Sequence, residues 1–192
     1  MDSGQHAEKE TNGWARSLLS ILLMVVFVAL ATILLRTLVF VPYEIPSGSM
    51  EDTIMTGDMV FSEKVSYYFR EPEQGDIVTF EDPMVAGRTL IKRVVATGGQ
   101  TVDLVDGVVY VDGKALAEPY TQGKPSYPKP ATLADDDDIV YPFVVPDGYI
   151  WVMGDNRTSS QDSRYFGAVS VESVTGRAAM VYWPFNHIGI LS

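Results

Sequence analysis

The uncharged apolar run "SLLSILLMVVFVALATILL", residues 17–35, decides the architecture of this chain. As an α-helix rising about 1.5 Å per residue, the run is about 28 Å long, close to the hydrocarbon thickness of a bilayer. A single span must be helical, because lipid offers the backbone no hydrogen-bond partners. We therefore predict one transmembrane helix over residues 17–35, ended by Arg36.

The residues around this run indicate how the helix is oriented in the membrane and whether it is cleaved off. Lys9 and Arg16 precede it among several acids, which favours a cytoplasmic segment 1–16 and an extracytoplasmic domain 36–192. The alternative is a removed signal peptide, since "ALA" at residues 29–31 resembles a small-residue cleavage site. The apolar run continues past that point, whereas a cleavage site lies in polar chain, so we favour an uncleaved anchor.

Beyond the anchor the chain reads as mostly β. Short segments rich in β-branched and aromatic residues are separated by Gly, Pro or Asp: "GDIVTF", "TLIKRVVAT", "TVDLV", "VVYV", "YIWVM" and "AAMVYW". Asp106-Gly107, between two apolar runs, predicts a tight hairpin turn. A proline-rich stretch and the run "DDDD", residues 135–138, follow it. We interpret residues 98–148, approximately, as a hairpin and loop insertion.

Composition excludes several classes of protein. The net charge is −11, with 25 acids against 14 bases, which argues against nucleic acid as a partner. The absence of cysteine excludes disulfides and thiolate zinc sites. The "DDDD" run lacks the alternating spacing and glycine of a calcium loop, so a solvated acidic loop is the better interpretation. We predict no metal and no cofactor.

The stretch "PSGSMEDT", residues 46–53, presents two serines shortly after the anchor. A serine hydroxyl becomes a nucleophile only when a neighbouring base takes its proton. The chain has two histidines. His6 lies across the membrane from the serines if the anchor is real, and His187 lies near the end of the chain. A Ser-His-Asp site therefore depends on one terminal histidine.

A lysine serves as the base only where burial lowers its pKa toward neutrality. In "TLIKRVVAT", residues 89–97, strand alternation places Lys92 on one face with Leu90, Val94 and Ala96. One interpretation is a lysine held in an apolar wall. The other is a lysine whose stem packs while its ammonium reaches water.

The stretch "GDNRTSSQDSR", residues 154–164, contains no apolar residue and follows the strand "YIWVM". It is either a polar loop whose groups hydrogen-bond one another or a support for an active site.

Together "PSGSMEDT", "LIKRVV" and "GDNRTSSQDSR" resemble the bacterial type I signal peptidases, membrane-anchored Ser-Lys proteases that remove signal peptides from exported proteins. The resemblance runs from the apolar span to about Tyr182. It implies a partly open, barrel-like β-domain on the extracytoplasmic side of the plasma membrane. It also implies exported preproteins and the lipid bilayer as partners, and cleavage after Ala-x-Ala. Asp52 departs from the proline common in the family, which puts the local turn in doubt.

The resemblance also implies roles for individual residues. Ser49 corresponds to the nucleophile, Lys92 to the general base, and Ser47 to the serine whose hydroxyl helps form the oxyanion hole. Ser160 corresponds to the serine that hydrogen-bonds the lysine. Four further positions correspond to structural supports: Asp155, Asp162, Arg164 and Arg93, the last expected to pair with one of these acids.

Ser126 to Lys129 fits the S-x-x-K pattern of penicillin-interacting enzymes, but Pro128 forbids the helix turn that the pattern needs. A self-cleaving Ser-Lys protease of the repressor type does not need an anchor. The alternative that is not an enzyme is a membrane-tethered β-module that binds a partner without catalysis.

Overall fold

The structure of the chain is a computed structural model that describes residues 5–129 and 139–191. It divides the chain into two compact units, Met1–Val39 and Phe40–Ser192. The acidic run 135–138, predicted to be a loop, lies outside the described residues.

The first unit is one helix, α1 (Gln5–Leu38). Its segment Gly13–Ile33 is long and apolar enough to cross a membrane, judged by length and composition. A single apolar N-terminal helix is confirmed, but it extends past the predicted limits 17–35 at both ends. Proline, which cannot continue a helix, first occurs at Pro42.

Within its described residues, the second unit contains two antiparallel sheets and one short α-helix, α2 (Ser163–Phe166). The strands of the larger sheet are β1 (Phe40–Glu44), β2 (Met59–Glu63), β3 (Ile77–Glu81), β4 (Thr89–Thr97), β9 (Tyr149–Met153), β10 (Val169–Ser170), β11 (Val174–Trp183) and β12 (Gly189–Ile190). Those of the smaller sheet are β5 (Thr101–Val105), β6 (Val108–Val111), β7 (Lys114–Ala115) and β8 (Phe143–Val144).

The larger sheet has the order β1-β2-β11-β3-β4-β9-β10, with β12 added on β11. Register shifts in β11 and β4 mark β-bulges, which bend a strand and increase its twist. The result is a curled, open half-barrel. The smaller sheet has the order β7-β6-β5-β8. The predicted fold class, mostly β after an N-terminal apolar helix, is confirmed.

The hairpin turn between β5 and β6 follows the sequence prediction. Asp106 and Gly107 both have positive φ, 49° and 81°, as a type I′ turn requires. Val105 pairs with Val108 across this turn.

A bulge in β4 changes which face its side chains occupy. Val94 lies opposite Val152 on β9, but the next paired residue is Ala96, opposite Trp151. Val95 is the extra residue, so the strict alternation of side chains stops there. The prediction that Ala96 shares a face with Val94 is therefore wrong, because the sequence pattern carries no sign of the bulge.

Trp151 joins the two sheets through one buried cluster. Its side chain is fully buried and packs with valines of the smaller sheet, Val102, Val109 and Val111. The Phe143 ring on β8 lies 4.8 Å from the Trp151 ring, centroid to centroid. The smaller sheet is thus packed against the half-barrel.

We expect Trp151→Ala to lower the free energy of unfolding by about 3–5 kcal/mol, because it leaves a large cavity between the sheets. The matched control is Trp183→Ala, since Trp183 is 46% exposed and its loss should cost below about 1 kcal/mol. Urea unfolding of the full chain in detergent measures both. Equal costs in the two variants would contradict the packing role of Trp151.

Candidate active site

Ser49 lies in a tight turn that is separated from the end of β1 by three residues. It is the central residue of a 3₁₀ turn, Gly48–Met50, and only 7% of it is exposed. The neighbouring Met50 and Ile54 are fully buried in the core. These apolar anchors fix the backbone on the C-terminal side of Ser49, so its hydroxyl is held in one place.

Lys92 projects from the middle of β4 onto this serine. Its Nζ lies 2.8 Å from Ser49 Oγ and donates a hydrogen bond to the Ile91 carbonyl at 2.7 Å. Only 3% of Lys92 is exposed, so the alternative with a solvated ammonium does not hold. Burial lowers the pKa of Lys92 to about 8, against the opposing charges of acids such as Asp162. With that pKa about one amine in ten is neutral at pH 7, compared with well below one in a thousand for an ordinary lysine.

Arg93, the next residue along β4, ties the strand to the serine turn. Its Nε and Nη2 donate to the two carboxylate oxygens of Asp155 at 3.0 and 2.9 Å. Both side chains are buried. Thr53, just past the serine turn, donates its hydroxyl to the same carboxylate at 2.5 Å. Asp155 therefore joins three segments that carry the site.

A second buried pair, Asp162 and Arg164, holds the polar stretch 154–164 together. Arg164 Nε and Nη2 donate to the Asp162 carboxylate, each at 2.8 Å. The same carboxylate accepts the Gly154 amide at 3.1 Å. Burial alone would raise the pKa of Asp162, but its bonds to Arg164 and the arginine's charge hold it below the usual range. The carboxylate is thus ionised wherever the site is folded near neutrality.

Asn156 and Gly154 contact the backbone of the serine turn, and neither was predicted to have this role from the sequence. The Asn156 side-chain amide donates to the Gly48 carbonyl at 2.9 Å, and its backbone amide donates to the Ser49 carbonyl at 3.1 Å. A Cβ on Gly154 would overlap the Ser49 carbonyl, so only glycine lets the chains come this close. The sequence suggested that the polar stretch supports an active site. It did not identify these contacts, because they join segments more than 100 residues apart in the sequence.

Ser47 and Ser160 lie beside the pair without bonding the lysine. Ser47 is exposed, and its Oγ is 3.5 Å from Ser49 Oγ. Ser160 is buried, and its hydroxyl lies close enough to the Asp162 carboxylate to help lower the pKa of that acid. The expected hydrogen bond from Ser160 to Lys92 is not found among the described residues, where the amine contacts Ser49 Oγ and the Ile91 carbonyl.

A cleft of about 300 Å³ opens at the Ser49 hydroxyl. Its walls are formed by residues before and at the serine, the start of β4 and the polar stretch: Pro46, Ser47, Ser49, Arg88, Thr89, Leu90, Ile91, Lys92, Ser159 and Gln161. Strand β4 pairs with β3 from Thr89 onward but with β9 only from Arg93 onward. Within the described sheet, one backbone edge of residues 89–92 is therefore left without a strand partner.

The groups of the rival sites are engaged elsewhere. His187 Nδ1 lies 2.8 Å from Asp58 Oδ1 at a partly exposed position. Of the S-x-x-K pattern, Ser126 accepts a bond from Arg157 at 2.7 Å, whereas Lys129 donates to the Ser160 carbonyl at 2.8 Å. No bond between this serine and this lysine is found among the described residues.

The arrangement suits acyl transfer. A serine hydroxyl meets an amine whose pKa is low enough to take its proton, and an unpaired strand edge borders the cleft where an extended peptide could pair. Such a site, in a β-domain of a chain that also carries a long apolar helix, is a candidate hydrolase site.

Comparison with known proteins narrows this class. The family model "Signal peptidase, peptidase S26" matches residues 16–183. "Probable signal peptidase I-1" of Synechocystis sp. is 40% identical over 177 residues, 88% of this chain and 84% of that protein. "Signal peptidase I T" of Bacillus subtilis is 32% identical over 191 residues, 95% and 92% of the two chains.

Plant and structural relatives were also found. "Thylakoidal processing peptidase 1, chloroplastic" of Arabidopsis thaliana is 34% identical over 197 residues, 95% of this chain but only 55% of that protein. A crystal structure of a signal peptidase I from Enterococcus faecalis is 30% identical, with a TM-score of 0.46, and covers 57% of this chain and 98% of that one.

The chain belongs to the signal peptidase family, peptidase S26, which is a family of proteases. The resemblance noted from the three motifs is confirmed, and the apolar helix α1 fits a membrane-anchored member.

We expect Gly154→Ala to lower the free energy of unfolding by about 1–3 kcal/mol, because the new methyl group must push the Ser49 backbone away. Gly189→Ala is the control, since the nearest atom to a Cβ there is 3.8 Å away. Thermal and urea unfolding compare the two. Equal stability of Gly154→Ala and the wild type would show that the contact is looser than described.

Proposed function

We propose that this protein is a signal peptidase I, a membrane-anchored serine endopeptidase that removes signal peptides from exported preproteins by cutting after Ala-x-Ala. The observation that carries the proposal is the 2.8 Å contact between the buried Lys92 amine and the Ser49 hydroxyl. A lysine at this depth costs folding free energy, and a non-catalytic binding module gains nothing from that cost. The same contact therefore disfavours the rival β-module.

In the proposed reaction, neutral Lys92 takes the proton of Ser49 as Oγ attacks the scissile carbonyl. The negative oxygen of the tetrahedral intermediate accepts hydrogen bonds from the Ser49 amide and the Ser47 hydroxyl, and one such donor typically contributes about 100-fold or more in rate. The lysine ammonium then protonates the leaving amine, which frees the mature protein and leaves an ester on Ser49. Lys92 next deprotonates a water molecule, whose attack releases the signal peptide.

Substrate binding follows from the free edge of β4. A precursor segment extended along residues 89–92 adds a strand there, and its alternate side chains point into the cleft. A cleft of about 300 Å³ accommodates small side chains at those positions. We also propose that the segment 1–16 is cytoplasmic and the β-domain extracytoplasmic. Enzyme and signal segment then share one membrane, which raises their effective concentration.

Removal of the amine should abolish this reaction. We expect Lys92→Ala to process a synthetic precursor ending its apolar core in Ala-x-Ala at least about 10³-fold more slowly than the wild type, because no other basic side chain bonds Ser49 among the described residues. Lys114→Ala, at an exposed position on β7, should match the wild type. Purified full-length proteins in detergent are compared by gel, with circular dichroism as the check on folding. Retained processing by folded Lys92→Ala would end the assignment.

The pH dependence should report the same amine. Because Lys92 acts in its neutral form, we expect kcat/KM to rise with pH through an apparent pKa of about 8. Below that pH the neutral fraction, and with it kcat/KM, falls about tenfold per pH unit. Initial rates of precursor cleavage across this range measure the limb. A limb centred near pH 6.5, the usual range of histidine, would instead point to His187.

A further inference from the structure

Residues 118–129, which we call the insertion arm, lie between β7 and the end of the first described range. We propose that this arm is a positioning element that holds the three segments of the active site together, and that Glu118 acts on Ser49 through Arg157. The inference rests on the proposed function, since it concerns the rate of the same reaction.

Glu118 neutralises a buried arginine of the polar stretch 154–164. Arg157 Nη1 and Nη2 donate to the two Glu118 oxygens at 2.8 and 2.5 Å. The Arg157 side chain is completely buried, and the Glu118 side chain is 10% exposed. Burial alone would lower the pKa of Arg157, but the bonds and charge of Glu118 raise it above its ordinary value. Without this carboxylate the buried guanidinium would lose its counter-charge, and the stretch around it would rearrange.

Arg157 in turn holds the backbone that contacts the serine turn. Its Nε donates to the Gly154 carbonyl at 2.9 Å, which closes residues 154–157 into a compact turn. Two residues of that turn touch the nucleophile's backbone: Gly154 packs directly against the Ser49 carbonyl, and Asn156 donates a bond to it. The guanidinium therefore sets the shape of the turn that grips Ser49.

Other residues of the arm reach the remaining motifs. Lys124 Nζ lies 3.0 Å from Asp52 Oδ2, just past the serine turn. The Tyr120 ring lies 4.0 Å from the Arg93 guanidinium, next to Lys92 on β4. One short arm thus contacts the segments that carry the nucleophile, the base and the supporting loop.

The arm acts at a distance from the substrate. The residues that line the cleft come from the serine turn, the start of β4 and the polar stretch, and none of the residues 118–129 is among them. Its effect must therefore run through the geometry of Ser49 and Lys92. A displacement of about 1 Å between reacting groups can cost about 100-fold in rate, so a modest loosening of the turn is measurable.

The first test is Glu118→Gln, which keeps the shape of the side chain but removes its charge. We expect kcat for precursor cleavage to fall by about tenfold or more while KM stays within about twofold, because the cleft is unchanged but the reacting groups are misplaced. Glu81→Gln, at an exposed position on β3, is the matched control. A purely structural role would lower the unfolding temperature and leave kcat of the folded fraction unchanged, which would overturn the proposal.

A double-mutant cycle tests the route through the arginine. In an Arg157→Met background Glu118 keeps only the neutral Tyr120 hydroxyl as a side-chain partner among the described residues, so adding Glu118→Gln should change kcat by less than about twofold. If the two effects multiply, Glu118 acts by another route and the proposal is wrong.

Ser126→Ala is the substitute test if Glu118→Gln or Arg157→Met does not fold. It removes only the third acceptor of the Arg157 guanidinium, and kcat should still fall several-fold at constant KM. An unchanged kcat in folded Ser126→Ala would then overturn the proposal. A wild type that cleaves no precursor contradicts the proposed function, whereas an active wild type matched by Glu118→Gln contradicts only the role of the arm.

Discussion

The structure of this site depends on keeping one lysine amine out of water and away from a direct carboxylate partner. Lys92 hydrogen-bonds a serine hydroxyl and a backbone carbonyl, and no ion pair to it occurs among the described residues. Acids are close enough to affect its pKa, but Asp155 and Asp162 are each bonded to an arginine, Arg93 and Arg164. The guanidinium groups occupy those carboxylates, so desolvation remains the dominant influence on the amine.

The same arginines explain why a polar stretch can be buried at all. A charged side chain removed from water is tolerated when it is paired and its hydrogen-bonding atoms are satisfied. Arg157 meets this condition only with help from outside the stretch, since its carboxylate partner is Glu118. The arm therefore supplies a counter-charge that the polar stretch itself lacks.

Local patterns in the sequence predicted the parts of the molecule that local physics determines. The apolar helix follows from the uncharged run, and the β5–β6 hairpin follows from Asp106-Gly107. Alternation along β4 left open whether the Lys92 amine is buried or reaches water, and the structure buries it. What the patterns missed are contacts between distant segments. Glu118 lies 39 residues from Arg157, and nothing in its immediate neighbours distinguishes it from a surface acid.

The bulge at Val95 has a consequence for how the β-domain folds. On one side of it, β4 contributes Ile91 and Val94 to two of the hydrophobic clusters; from Val95 onward the strand belongs to the third, shared with the smaller sheet. All three clusters thus share a single strand. Sub-global opening of the smaller sheet would expose part of the strand that carries the base, so the β-domain should unfold as one cooperative foldon.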